Sequence, residues 1–213
     1  MTNETIISDL QKTGKKLMDL NLAWGTAGNI SARKDEDHFF ITASGTNLGE
    51  LNDDDFVLVP NHHETNKKPS KEFPMHRAIY ENRPEINAVL HSAPFYSTLL
   101  ACSSLNLPSN YFVEAMYYLE KVVHIPYKHP GSNDLAKAVE EKVTESNVFI
   151  LKNHGILVCD VSIKEAFMAL ETLEFASKML ITSIEKGIKI EGLPQEQVDD
   201  FLNNAGYKPR RKW

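Results

Sequence analysis

"NVFILKNHGILVCD", residues 147–160, holds two apolar runs broken by Asn153, His154 and Gly155. Short apolar runs on either side of a Gly-containing break read as the arms of a β-hairpin, with the histidine at its tip. A hairpin forces its strands antiparallel, whereas a doubly wound parallel sheet would need a long crossover at this point. Working outward, Ser162 and Glu165 form a capping-box pattern ahead of a long helix carrying Phe167, Leu170, Leu173 and Leu180. A last helix begins near Pro194, with Gly206 as its stop. Upstream, a helix covers Leu135 to Val143, and "KVVHIPY" is a strand ended by "KHPGSND". Pro94 opens a helix through Leu99 and Leu100, "INAVLHS" reads as a buried strand, and Pro74 to Tyr80 as a short helix. "HFFITAS" and "DFVLVP" are strands, preceded by an amphipathic helix on Ile6, Ile7, Leu10, Leu17 and Met18. The expectation is an α/β sandwich around a mostly antiparallel central sheet, as a single domain over residues 1–213.

Composition narrows the partners. The chain has 213 residues, 42% hydrophobic and 24% charged, which is enough to bury a core without disulfides or structural metal. A net charge of −6 argues against nucleic acid, and the one dense basic run, the terminal "KPRRKW", reads as a solvated tail. Cys102 and Cys159 lack metal-ligand spacing and fit a reducing cytosol, with neither reading as a nucleophile. The acidic N-terminus and the absence of any long apolar stretch point to a cytoplasmic protein, neither secreted nor inserted in a membrane.

Three turns rich in small residues stand out: "TAGNIS" (26–31), "TASGTN" (42–47) and "KPSKEF" (68–73). Backbone amides and hydroxyls converging from such turns make an anion nest suited to phosphate, although any one of them alone is simply a chain reversal. No Walker or GxGxxG pattern adds a nucleotide signal. Glu72 precedes the short helix, where a carboxylate usually serves as a structural cap. His91 ends a strand and His154 occupies a turn, and each alone reads as an ordinary hydrogen-bonded histidine. Together, two imidazoles and one carboxylate would make a catalytic metal set with an open position.

The ordered segments "GTAGNIS", "ITASG", "PSKEFPMHRAIY", "INAVLHSAPFYSTLLA", "IPYKHPGS" and "NHGILV" resemble the class II aldolase/adducin family over almost the whole chain. The resemblance implies a three-layer α/β/α sandwich, a homotetramer with active sites at subunit interfaces, and a divalent metal, usually zinc, with manganese as another choice. It implies a sugar phosphate substrate, here a deoxy ketose 1-phosphate cleaved to dihydroxyacetone phosphate and an aldehyde through an enediolate. A dehydratase or epimerase on a related sugar phosphate, or a non-catalytic adducin-like binding protein, are the competing readings.

Residue by residue, Gly28, Asn29, Ser44, Gly45 and Ser70 match the family's phosphate cradle, and Lys71 replaces a common second serine there. Glu72 matches the carboxylate that moves protons and can also bind metal. His91 and His154 match two of three metal histidines, while Ala93 stands where the third belongs, so Glu72 or Glu114 is expected to complete the set. Glu114 also matches an acid/base glutamate of the family's dehydratases, and the aldolases' catalytic tyrosine falls at Tyr111 or Phe112. His76, four residues after Glu72, is a weaker candidate, and His62, His63, His124 and His129 read as solvated or capping.

Overall fold

The computed structural model describes residues 2–60 and 68–211; His62 and His63 lie outside them. The 147–160 hairpin is present: β6 (Val148–Leu151) and β7 (Gly155–Asp160) pair antiparallel with Leu151 opposite Gly155. Asn153 takes the left-handed conformation at φ 53°, which Asn tolerates better than most residues and which lets the chain reverse within three residues. The turn is tied down from outside, since Asn153 N–H donates to the Ala101 carbonyl at 3.1 Å and Lys152 Nζ to the Ser103 carbonyl at 2.7 Å.

The other expected elements form with small boundary changes. They are α1 (Asn3–Asp19), β2 (His38–Thr42), β3 (Phe56–Pro60), α2 (Phe73–Asn82), β4 (Ala88–Ser92), α3 (Phe95–Ala101), β5 (Val122–Ile125), α5 (Asn133–Glu140), α6 (Ile163–Lys186) and α7 (Gln195–Asn204). Two more appear. β1 (Asn29–Arg33) takes up the second half of what reads as a turn in "TAGNIS", and α4 (Val113–Tyr118) follows Phe112.

Seven strands form one sheet in the order β3-β2-β1-β4-β7-β6-β5, antiparallel throughout except for the β5–β6 pair. Strand alternation sends side chains to two separate cores. Ala88, Leu90, Ile156 and Val158 face α1, α3, α4 and α6, while Val89, Leu157 and Cys159 face α2 and α5. The helices therefore cover both faces of the sheet, giving the three-layer arrangement.

Over its described residues, 208–211, the basic C-terminal run is not a solvated tail. Lys208 Nζ donates to both Glu165 oxygens at 2.9 and 2.7 Å, Arg210 pairs with Glu120, and the Arg211 guanidinium pairs with Asp160 in a nearly dry setting. Lys208 and Arg211 also lie over the rings of Tyr117 and Tyr118. The expected capping box is accordingly half formed: Ser162 Oγ accepts from the Glu165 N–H, but the Glu165 carboxylate turns to Lys208 and the Tyr118 hydroxyl.

Candidate metal and phosphate site

His91 is the last but one residue of β4 and lies opposite Asn29 on β1 and Leu157 on β7. Alternation with Leu90 points its ring to the α2 face, next to Val89. Its Nδ1 lies 2.8 Å from the Ile156 carbonyl oxygen, which can only accept. Nδ1 therefore carries the proton, and Nε2 presents a lone pair when the ring is neutral. That Nε2 lies 3.1 Å from Glu72 Oε2, and His154 Nε2 lies 3.1 Å from Glu72 Oε1. The two imidazoles meet edge-on with centroids 4.7 Å apart.

Glu72 holds the position before α2, yet its side chain makes no capping bond there. It turns into the cavity instead, where Asn29 Nδ2 donates to Oε2 at 3.0 Å. Burial alone would raise the Glu72 carboxyl; the facing His91 and His154 imidazoles hold it well below the usual carboxylate range. Burial lowers His91, but the carboxylate beside it raises its proton affinity overall. Apart from that His154 contact, Glu72 Oε1 has no hydrogen-bond partner, and His154 Nδ1 and Asn29 Oδ1 are likewise buried without one.

Two glycines allow this convergence. A Cβ on Gly155 would sit 2.5 Å from the Ser92 carbonyl oxygen, and one on Gly28, already at φ 99°, 2.8 Å from that of His91. Only residues without a side chain let the hairpin and the β1 entry pack against the end of β4.

The ligand atoms of Glu72, His91 and His154 all lie within 4.8 Å of one another. Two neutral imidazoles and a carboxylate are a known donor set for a divalent ion. The Ile156 carbonyl supplies the backbone hydrogen bond that orients a ligating histidine. Orphaned Glu72 Oε1 adds the kind of buried acceptor a cation would satisfy. The residues present fit such an ion.

The same cavity, about 350 Å³, is lined by Gly28, Asn29, Ser44, Gly45, Ser70 and Lys71. An isolated bridge between Ala43 and Pro69 brings two of the turns side by side, with Ser70 N–H donating to the Thr42 carbonyl. Every cradle residue expected from the sequence therefore lines the cavity that holds the three ligand candidates.

Other candidates fall elsewhere. Glu114 lines a separate groove with Phe112 and Phe175, and Tyr111 packs against the core on the α6 side. His76 is fully buried, with Nδ1 2.7 Å from Ser31 Oγ, and burial together with His91 lowers its pKa to about 3, so it is neutral. His124 and His129 are exposed, as expected. Cys159 is buried and its thiol is pushed up to about 12, which keeps it unreactive, while Cys102 is exposed. A larger cavity of about 700 Å³ lies under the C-terminal run, but its charges are already paired: Arg83 with Glu85, Arg211 with Asp160, Lys208 with Glu165. Trp24 lines the Glu72 cavity without any signal in the sequence beyond a lone aromatic in a loop.

A profile of the class II aldolase and adducin N-terminal domain matches residues 8–181. The chain belongs to this family. An L-fuculose phosphate aldolase from Methanococcus maripaludis is 38% identical over 160 residues, covering 74% of this chain and 86% of that protein. A 3-oxo-tetronate 4-phosphate decarboxylase from Haemophilus influenzae is 32% identical over 199 residues, covering 90% of this chain and 93% of its own. The crystal structure of YgbL from Klebsiella pneumoniae superposes with a TM-score of 0.87 at 28% identity, covering 94% of this chain and 99% of that one. Class II aldolase relatives therefore include at least two reactions, one an aldol cleavage and one a decarboxylation.

Proposed function

We propose that this chain is a cytoplasmic, divalent-metal-dependent lyase that cleaves a deoxy ketose 1-phosphate to dihydroxyacetone phosphate and an aldehyde. The observation that carries the reading is the meeting of Glu72, His91 and His154 with the Ser44–Gly45 and Ser70–Lys71 turns in one cavity. His91, His154 and Glu72 would hold the ion, zinc first and manganese second, without the third histidine that Ala93 replaces. When bound, such an ion acts as a Lewis acid that stabilises charge developing on the substrate oxygens. The turns hold the phosphate through backbone amides and hydroxyls, and the Lys71 ammonium adds a point charge at the rim. Anchoring the phosphate there presents the adjacent carbons to Glu72, whose carboxylate would take up the hydroxyl proton released as the C–C bond breaks and return it to the enediolate carbon. Glu114 or Tyr111, supplied by a neighbouring copy in a homotetramer, would serve the oxygen of the departing aldehyde. Neither lines the cavity within one chain, which is what favours a neighbour as the source.

Decarboxylation is the second reading, favoured by the 32% identical relative. Loss of carbon dioxide from a 2-hydroxy-3-oxo acid phosphate also leaves an enediolate to be protonated, so the same residues serve either reaction. The test is elemental analysis of protein purified without chelator or metal-affinity tag, followed by assay of ketose 1-phosphates and 3-oxo acid phosphates. Dihydroxyacetone phosphate with an aldehyde supports the first reading, and dihydroxyacetone phosphate with carbon dioxide the second. A chain that stays empty after incubation with divalent ions overturns both.

A further inference from the structure

Trp24 is 65% exposed, unusual for the largest apolar side chain, and it is not loose: its Nε1–H donates to the Ala93 carbonyl at 3.1 Å. Both residues line the Glu72 cavity. Ala93 belongs to the histidine end, because a Cβ on Gly155, next to His154, would lie 3.4 Å from the Ala93 methyl. The cavity thus has a polar end, made by Ser44, Gly45, Ser70 and Lys71, and an apolar edge beside the imidazoles, made by Ala93 and the indole. Small-ligand sites commonly combine a few polar groups that fix orientation with apolar or aromatic walls that cover the remainder.

We propose that Trp24 is a specificity-determining residue that stacks against the C–H face of the substrate's non-phosphorylated end, over the space left by the small Ala93 side chain. The hydrogen bond pins the indole by its polar edge and leaves its apolar surface open, so the ring presents a fixed wall rather than a mobile one. The preferred ligand is a sugar phosphate of five or six carbons with an apolar or deoxy terminus. A three-carbon phosphate would fill the polar end and leave the indole uncovered. This inference rests on the sugar phosphate reading above.

The chain has two tryptophans, Trp24 and Trp213, so the full-length W213F variant reports from Trp24 alone. Its emission is titrated with inorganic phosphate, dihydroxyacetone phosphate and a six-carbon deoxy ketose 1-phosphate, with thermal protection measured in parallel. A saturable change with the six-carbon ligand, absent with phosphate and dihydroxyacetone phosphate, is the expected result. In W24A the six-carbon ligand should bind about tenfold more weakly, with dihydroxyacetone phosphate unaffected and W24F intermediate. Thermal protection by the six-carbon ligand without a change in emission overturns the role of Trp24 alone and leaves the sugar phosphate reading standing. Equal weakening of both ligands in W24A also overturns it, as does blue-shifted emission in the free protein that depends on concentration, which would place the indole against a second copy. Absence of protection by any phosphate overturns both readings.

Discussion

Glu72 stands where a helix cap is expected and caps nothing; its carboxylate is spent on two imidazoles and the Asn29 amide. Removing its charge while keeping its shape, in E72Q, should lower kcat by about 10²- to 10⁴-fold with a much smaller effect on KM, the pattern of a lost proton carrier. Steady-state kinetics of the metal-loaded enzyme decide this, and unchanged turnover removes Glu72 from the chemistry. H91A and H154A should each lose metal affinity by more than the roughly 10- to 100-fold typical of losing a supporting hydrogen bond. Competition with a chromophoric chelator measures it. All three residues were legible as residue types at the ends of elements. Their supports were not: the Asn29 amide and the Ile156 carbonyl reach the site through the register of β1, β4 and β7, which no local pattern encodes.

The elements that the sequence made plain were those with a strong period or a marked start, such as α6 from Ser162 through Leu180; its end at Gly187, where φ is 66°, came from the structure. β1 was hidden because Asn29 and Ser31 interrupt its apolar residues; both are buried by neighbouring strands rather than by pattern. α4 has six residues, fewer than two turns, too few for helical spacing to register. The basic run misled for another reason. Its acidic partners Glu120, Asp160 and Glu165 are far away in sequence, and only the fold collects them. With side-chain exposures of 8% and 5%, the Arg211–Asp160 pair is effectively buried. R211A should therefore cost about 3 kcal/mol, because it leaves the Asp160 carboxylate buried without its partner. Denaturant melts should show it, with part of the loss restored in R211A/D160N, where no unpaired carboxylate remains.

At the scale of the molecule, an ion held between the end of β4, the β6–β7 turn and the residue before α2 should stabilise the whole fold. Divalent ion at about 100 times its Kd should add about 2.7 kcal/mol, raising Tm by roughly 5–10 °C in a chain of this size, and H154A should abolish the shift. Acid should act through the C-terminal run as well. Burial would raise Glu165, but Lys208 and Tyr118 hold it below its ordinary value of 4.5. A carboxyl depressed in the fold contributes stability that is complete above its unfolded pKa and is lost as pH falls through the folded one. Wild-type Tm should thus fall more steeply than that of E165Q as pH drops below the ordinary glutamate value of 4.5.

The hydrogen bond from His91 to Ile156 spans 65 residues of chain, and Glu72 joins from a third element. Long-range closures of this kind are slow, whereas the β6–β7 hairpin closes locally. During refolding of the full chain, His154 should therefore reach its turn before His91 and Glu72 close on it. Metal capture becomes a late event that marks a completed sheet.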